Sequence, residues 1–105
     1  MKALLIGDVI GRPGRVAIER LVVPLREELQ IDLVVVNCEN AAAGAGVTPS
    51  VADELFASGV DVLTSGNHVW RKKEALELLR LDHRVLRPAN YPDTAPGSGS
   101  TIIET

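Results

Sequence analysis

Leu33-Val34-Val35-Val36 sets four apolar side chains in succession, and three of them are β-branched. A strand of that kind asks for cover on both faces, as strands of parallel sheets do. Shorter runs repeat the theme at Ala3-Leu4-Leu5-Ile6, Val60-Asp61-Val62-Leu63-Thr64, Val85-Leu86 and Thr101-Ile102-Ile103. Helical spacing fills the gaps between them. Pro13 suits the first turn of a helix, and Val16, Ala17, Leu21, Leu25 and Leu29 then lie on one face, with Pro24 expected to kink or divide it. Thr48 followed by Pro49 reads as a cap and first turn, with Leu55 and Phe56 on the buried face and Gly59 as the stop. Residues 70–81 read as a helix with Ala75, Leu76, Leu78 and Leu79 inside and Arg71, Lys72 and Lys73 outside. Residues 41–47 and 87–99 read as loops. Strands alternating with helices predict an α/β fold: a largely parallel sheet with flanking helices joined by right-handed crossovers. The chain stops inside an apolar run that reads as a strand. A single but incomplete domain over residues 1–105 is therefore expected, the N-terminal part of something longer.

Composition narrows the function classes. A chain of 105 residues that is 46% hydrophobic with net charge -3 is not disordered and has room for one domain. Fourteen acidic against eleven basic residues, with no basic run, argue against dedicated nucleic-acid binding. Phe56, Trp70 and Tyr91 are too few aromatics for a base-stacking platform. Cys38 stands alone, so no internal disulfide can form, and a reducing cytoplasm is the expected setting. No segment approaches the roughly twenty apolar residues of a membrane span, and residues 3–6 are too short for a signal peptide.

In open α/β sheets, ligands bind beyond the carboxyl ends of the strands. The first three strands deliver Gly7-Asp8, then Asn37-Cys38-Glu39-Asn40, then Ser65-Gly66-Asn67-His68. Carboxylate, carboxamide and imidazole thus collect on one edge, and these side chains hold divalent cations. Taken singly, each has a structural role open to it. Asp8 suits a turn cap, Glu39-Asn40 a solvated turn, Asn67 a turn after Gly66, and His68 a helix entry. A metal site explains them together. Other motifs fail: residues 7–14 lack G-x-G-x-x-G spacing, and neither a phosphate-binding Gly-Lys-Ser/Thr loop nor a serine elbow is present. Cys38 beside Glu39 reads as a small buried residue, and His83, at the opposite end of the sheet, as structural. Arg12 and Arg15, at the start of the first helix, suit either a phosphate contact or a solvated helix end.

Gly7-Asp8-Val9-Ile10-Gly11 with Pro13-Gly14-Arg15, Asn37-Cys38-Glu39-Asn40-Ala41-Ala42, Gly66-Asn67-His68-Val69-Trp70 and Arg87-Pro88-Ala89-Asn90-Tyr91-Pro92 resemble the YmdB-like bacterial metallophosphoesterases of the calcineurin-like superfamily. The resemblance covers nearly the whole chain in order. It implies the N-terminal half of a four-layer sandwich, in which a second sheet packs on the first. It also implies a two-metal phosphodiesterase acting on 2′,3′-cyclic nucleotides or related phosphodiesters, with a metal-bridging hydroxide attacking phosphorus. The two divalent ions could be Mn, Fe, Mg or Zn. By the match, Asp8 binds the first metal, Glu39 bridges both, and Asn67 binds the second. Asn40 takes the role that a histidine two residues after the first Asp plays elsewhere; here that position is Ile10. His68 lies beside the metals and gives a proton to the leaving oxygen. Arg12 and Asn90 are candidate substrate contacts. The family adds three histidines from a C-terminal half, whereas this chain has only His68 and His83. On its own it is expected to be inactive, and a homo-oligomer is expected. Two rival readings remain: a non-catalytic nucleotide-binding module, and an assembly protein that kept the fold and lost the chemistry.

Overall fold

The computed structural model describes residues 1–105. The elements run β1 (Ala3–Ile6), α1 (Gly11–Leu29), β2 (Leu33–Asn37), α2 (Pro49–Ala57), β3 (Val62–Thr64), a 3₁₀ helix (Asn67–Arg71) and α3 (Glu74–Leu81). The three strands pair in parallel in the order β1-β2-β3. Val85 extends the sheet by a parallel bridge to Leu63, with Leu86 N–H donating to the Leu63 carbonyl at 2.8 Å. The expected fourth strand is thus one bridge long. The expected fifth strand over residues 101–103 does not form, and Ile102 is exposed.

Strands added in sequence order by right-handed crossovers send every connecting helix across the same face. Burial records this asymmetry. Val34 and Val36 are fully buried and join Val22, Leu55 and Leu63 in the core. Leu33 and Val35, on the opposite face of β2, are only half-buried. Register places Leu5, Val35 and Val62 side by side on that second face, where Leu5 is 74% exposed and cover returns only at Val62, which is buried. β2 is apolar on both faces but covered on one.

Local chemistry sets the helix boundaries. Thr48 accepts from Val51 N–H at 3.3 Å with Pro49 in the first turn, so α2 starts where the cap reading put it. Gly59, at φ +103, turns the chain out of α2, and a Cβ there would press on Val22 and Val23. α1 differs from expectation in two ways. It runs unbroken through Pro24, which is exposed, as is Arg20, so the carbonyl freed four residues back can find water. Its buried residues are Ile18 and Val22, not the Ala17-Leu21-Leu25-Leu29 row; Leu21 and Leu29 are exposed. Apolar residues crowd 16–25 so densely that spacing admits both stripes, and packing on the sheet selects one. The helix expected over 70–81 is also divided. Arg71, Lys72 and Lys73 would place positive charge at the positive end of a helix dipole. Instead Lys72 is extended, and α3 begins at Glu74 with Glu77 also in its first turn.

The amino ends of the strands are held by one partly buried network. Asp61 Oδ2 accepts from Arg26 Nη1 at 2.6 Å and from Val34 N–H at 2.8 Å, while Arg26 also donates to the Gly59 and Asp32 carbonyls. No helix of the chain is long and apolar enough to cross a membrane. Asp61→Ala leaves the Val34 amide without a partner and takes the counter-charge from Arg26, which keeps its two carbonyl bonds, at a cost of about 1–3 kcal/mol. Asp61→Asn keeps an acceptor for Val34 and should cost less. Urea midpoints of the two variants check this, and equal midpoints would contradict the shared-acceptor account.

Candidate functional site at the carboxyl edge of the sheet

Beyond the last residues of the strands, the backbone ladder continues. Val9 N–H donates to the Asn37 carbonyl at 3.1 Å, Cys38 N–H to the Thr64 carbonyl at 2.8 Å, and Gly11 N–H to the Asn40 carbonyl at 3.0 Å. The three polar segments are therefore laced together before any side chain contributes. Asp8 sits in the turn after β1 at φ +33, a conformation that aspartate tolerates better than most residues. Arg15 closes the other side. Its Nη1 donates to the Ala41 carbonyl at 2.7 Å and its Nε meets Glu54 at 3.3 Å. It pins the small-residue loop, whose Ala41, Ala42 and Val47 are buried in the core, and has a structural task in place of a phosphate contact.

Asn40 links the side chains. Its Nδ2 donates to Asp8 Oδ1 at 2.8 Å, and its Oδ1 meets His68 Nδ1 in a short hydrogen bond. A carboxylate only accepts, so the Asn40 amide group must face Asp8 and its oxygen must face His68. His68 Nδ1 then carries a proton, which leaves Nε2 pointing elsewhere and free for chemistry. Glu39 Oε2 lies 4.0 Å from His68 Nδ1. Its carboxylate rests against the bare Cα of Gly66, in space that a Cβ would occupy. Gly66 thus lets Glu39 approach the β3 end.

Asp8, Glu39, Asn40 and His68 are gathered into this one cluster. Asn67 opens the 3₁₀ helix on the same edge but is exposed and makes no side-chain hydrogen bond, and the same holds for Arg12 and Asn90. His83 is exposed beside Asp82, before the Val85 bridge, away from this edge. The sequence reading missed what braces the site: Gly66 against Glu39, Arg15 on the 41–47 loop, and an edge-to-face contact between Trp70 and Tyr91, whose centroids are 5.2 Å apart. The first left a signal, a glycine immediately before Asn67-His68; the others join residues far apart in sequence.

The gathered donor set is two carboxylates and one carboxamide with one imidazole alongside, and Asn67 offers a second carboxamide on the same edge. No three His, Cys, Asp or Glu side chains group as a metal cluster, so a cation here would draw on the carboxamides as well. Oxygen donors of this kind fit a hard divalent cation in chemistry. Asp8 Oδ2 and the second lone pair of Asn40 Oδ1 remain available beside the bonds already made.

A parallel α/β sheet that carries acids, carboxamides and a histidine on its carboxyl edge defines a class of ligand-binding α/β proteins. Comparison with known proteins narrows the class. Residues 4–105 match the YmdB-like protein family, and the chain belongs to it. It is 39% identical over 104 residues to the 2′,3′-cyclic-nucleotide 2′-phosphodiesterase of Bacillus subtilis (strain 168), an alignment covering 99% of this chain and 39% of that protein. A crystal structure of a hypothetical protein from Thermus thermophilus superposes with a TM-score of 0.93 at 40% identity, over 100% of this chain and 40% of that one. A phosphatase structure from Mycoplasma pneumoniae superposes with a TM-score of 0.90 at 33% identity, over 100% of this chain and 39% of that one. The chain thus spans about two-fifths of the length of these relatives.

Cys38 lies between Asn37 and Glu39 yet takes no part in the site. Burial, reinforced by the adjacent Glu39 carboxylate and only partly offset by a backbone hydrogen bond, pushes its thiol up to about 12. A raised thiol keeps the reactive thiolate scarce until pH approaches that value. Iodoacetamide at pH 8 should leave native Cys38 unmodified and label it once urea unfolds the chain. Rapid labelling of the folded protein would contradict this.

Proposed function

We propose that this chain supplies part of the active site of a metal-dependent phosphodiesterase that hydrolyses 2′,3′-cyclic nucleotides or related phosphodiesters. The observation that carries the reading is the Asp8–Asn40–His68 hydrogen-bonded chain, which crosses the ends of three strands beside the Glu39 carboxylate. The name of the Bacillus relative supports the substrate class. The fold family and the oxygen-rich donor set support metal dependence.

Asp8, Glu39, Asn40 and Asn67 would hold the divalent ions, with Glu39 shared between two of them. Such ions, when bound, neutralise charge on phosphoryl oxygens and lower the pKa of water to make a nucleophile at neutral pH. The chain's own residues do the rest. Asn40 fixes both the Asp8 carboxylate and the tautomer of His68. His68, held through Nδ1, presents Nε2 to the departing oxygen and delivers a proton there when its ring is protonated. Arg12 and Asn90, exposed and without side-chain partners, are free to meet the rest of a substrate. The buried, free Cys38 suits a reducing cytoplasm.

The test separates metal retention from proton delivery in the full-length protein. Glu39→Gln should reduce the content of both metals together, because one charge serves each. His68→Ala should keep both metals and lower turnover of a cyclic nucleotide by roughly 10²–10⁴-fold, the usual worth of a general acid. The loss should shrink for a nitrophenyl ester, whose leaving group needs no proton. Metal analysis and turnover check these outcomes. Loss of one metal alone in Glu39→Gln overturns the shared role, and turnover that resists a chelator overturns the metal-dependent reading.

A further inference from the structure

His68 and Asn67 sit on a five-residue 3₁₀ helix whose N-terminus, at Gly66, has no side-chain cap. Such helices have poor hydrogen-bond geometry and little stability of their own. Something else must hold this one where Asn40 can reach His68. Val69 anchors its inner side and is fully buried. Gly46, at φ +80, lies close to the His68 carbonyl, so the loop after Asn40 flanks the helix as well.

The remaining side is closed from residues 87–99. Tyr91 packs its ring edge-to-face on Trp70, with centroids 5.2 Å apart and planes at 73°. Aromatic pairs in this geometry contribute beyond their buried area. The segment bearing Tyr91 is itself fixed. The Pro88 carbonyl accepts from Tyr91 N–H at 3.4 Å and from Arg87 Nη1 at 3.0 Å, and Arg87 is buried. Ser65, next to Gly66, donates to the Leu86 carbonyl at 2.5 Å, and Arg87 N–H donates to the Ser98 carbonyl at 3.0 Å. A brace therefore runs from the end of β3, through the Arg87–Tyr91 turn, and back to Trp70, two residues after His68.

We infer that Tyr91 is a positioning residue, which, through its contact with Trp70, holds the 3₁₀ helix so that His68 meets Asn40 at the site. This rests on the proposed proton-delivery role of His68. Tyr91 makes no hydrogen bond to His68 or Asn40, and its aromatic contact is with Trp70, through which its effect passes. Misplacing a catalytic group by about 1 Å costs up to about 10²-fold in rate, so a strap of this kind bears on turnover more than on substrate affinity.

The experiment combines hydrogen exchange with kinetics in the full-length protein. The Val69 amide, which donates to the Gly66 carbonyl at 3.1 Å, reports on the 3₁₀ helix; the amides of Val34, held by Asp61 at the amino end of β2, and of Val36, within the β2–β3 pair, report on the sheet. Tyr91→Ala should speed Val69 exchange roughly tenfold while Val34 and Val36 hold their rates, as local opening requires. It should lower kcat by roughly 10–100-fold with little change in KM. Tyr91→Phe keeps the ring and should restore both readings. If Tyr91→Ala does not fold, Tyr91→Leu keeps apolar bulk without the aromatic edge and should move both readings in the same direction. Unchanged Val69 exchange overturns the inference, as does acceleration of all three amides in step. Faster Val69 exchange with unchanged kcat overturns it too. A wild-type protein without phosphodiesterase activity would instead overturn the functional reading, and the exchange comparison would still decide whether Tyr91 holds the helix.

Discussion

Parallel strands laid down in sequence order leave the chain two consequences it cannot escape. Every strand ends at the same edge, and every right-handed crossover passes the same face. The first brings Asp8, Glu39-Asn40 and Asn67-His68 to one edge, although up to sixty residues of sequence separate them. The second leaves Leu5 exposed and Leu33 and Val35 half-buried on the face away from the helices, with only Val62 at its β3 end buried. Site and bare face have the same origin.

Asn40 converts that gathering into a defined geometry. A lone carboxylate beside a lone imidazole would be free to pair directly, and the site would become an ordinary ion pair. The carboxamide between them keeps Asp8 and His68 apart while fixing both, since it donates to one and accepts from the other. Gly66 does the corresponding service for Glu39, which could not lie so close to β3 over any side chain. The opposite edge works differently. There, Asp61 and Arg26 satisfy each other and the backbone, so the charges are consumed in holding the sheet.

Much of this was legible in the sequence where the signal is local. Consecutive apolar residues marked β2, Thr48-Pro49 marked the start of α2, and the residues trailing each strand marked the edge where chemistry collects. What sequence could not settle was decided by packing. Two apolar stripes competed on α1, and contact with the sheet chose Ile18 and Val22. Helical spacing ran through 70–81, but three cations at the prospective helix start moved it to Glu74. Residues 101–103 have strand-like composition and no paired neighbour. The Trp70–Tyr91 contact joins the 3₁₀ helix to the 87–99 loop, whose approach depends on the whole sheet edge.

Three strand ends are proposed to form one oxygen-rich cation site around Asp8, Asn40 and Glu39. Paramagnetic broadening by Mn²⁺ in two-dimensional NMR tests it most directly, because the effect falls steeply with distance from the bound ion. Substoichiometric Mn²⁺ should broaden the amides of Asp8, Glu39, Asn40, Asn67 and His68 first, and spare Gly59, Asp61 and Arg84 at the far end. Broadening centred on Asp82 and Glu77, or spread evenly over the acidic surface, would contradict the account.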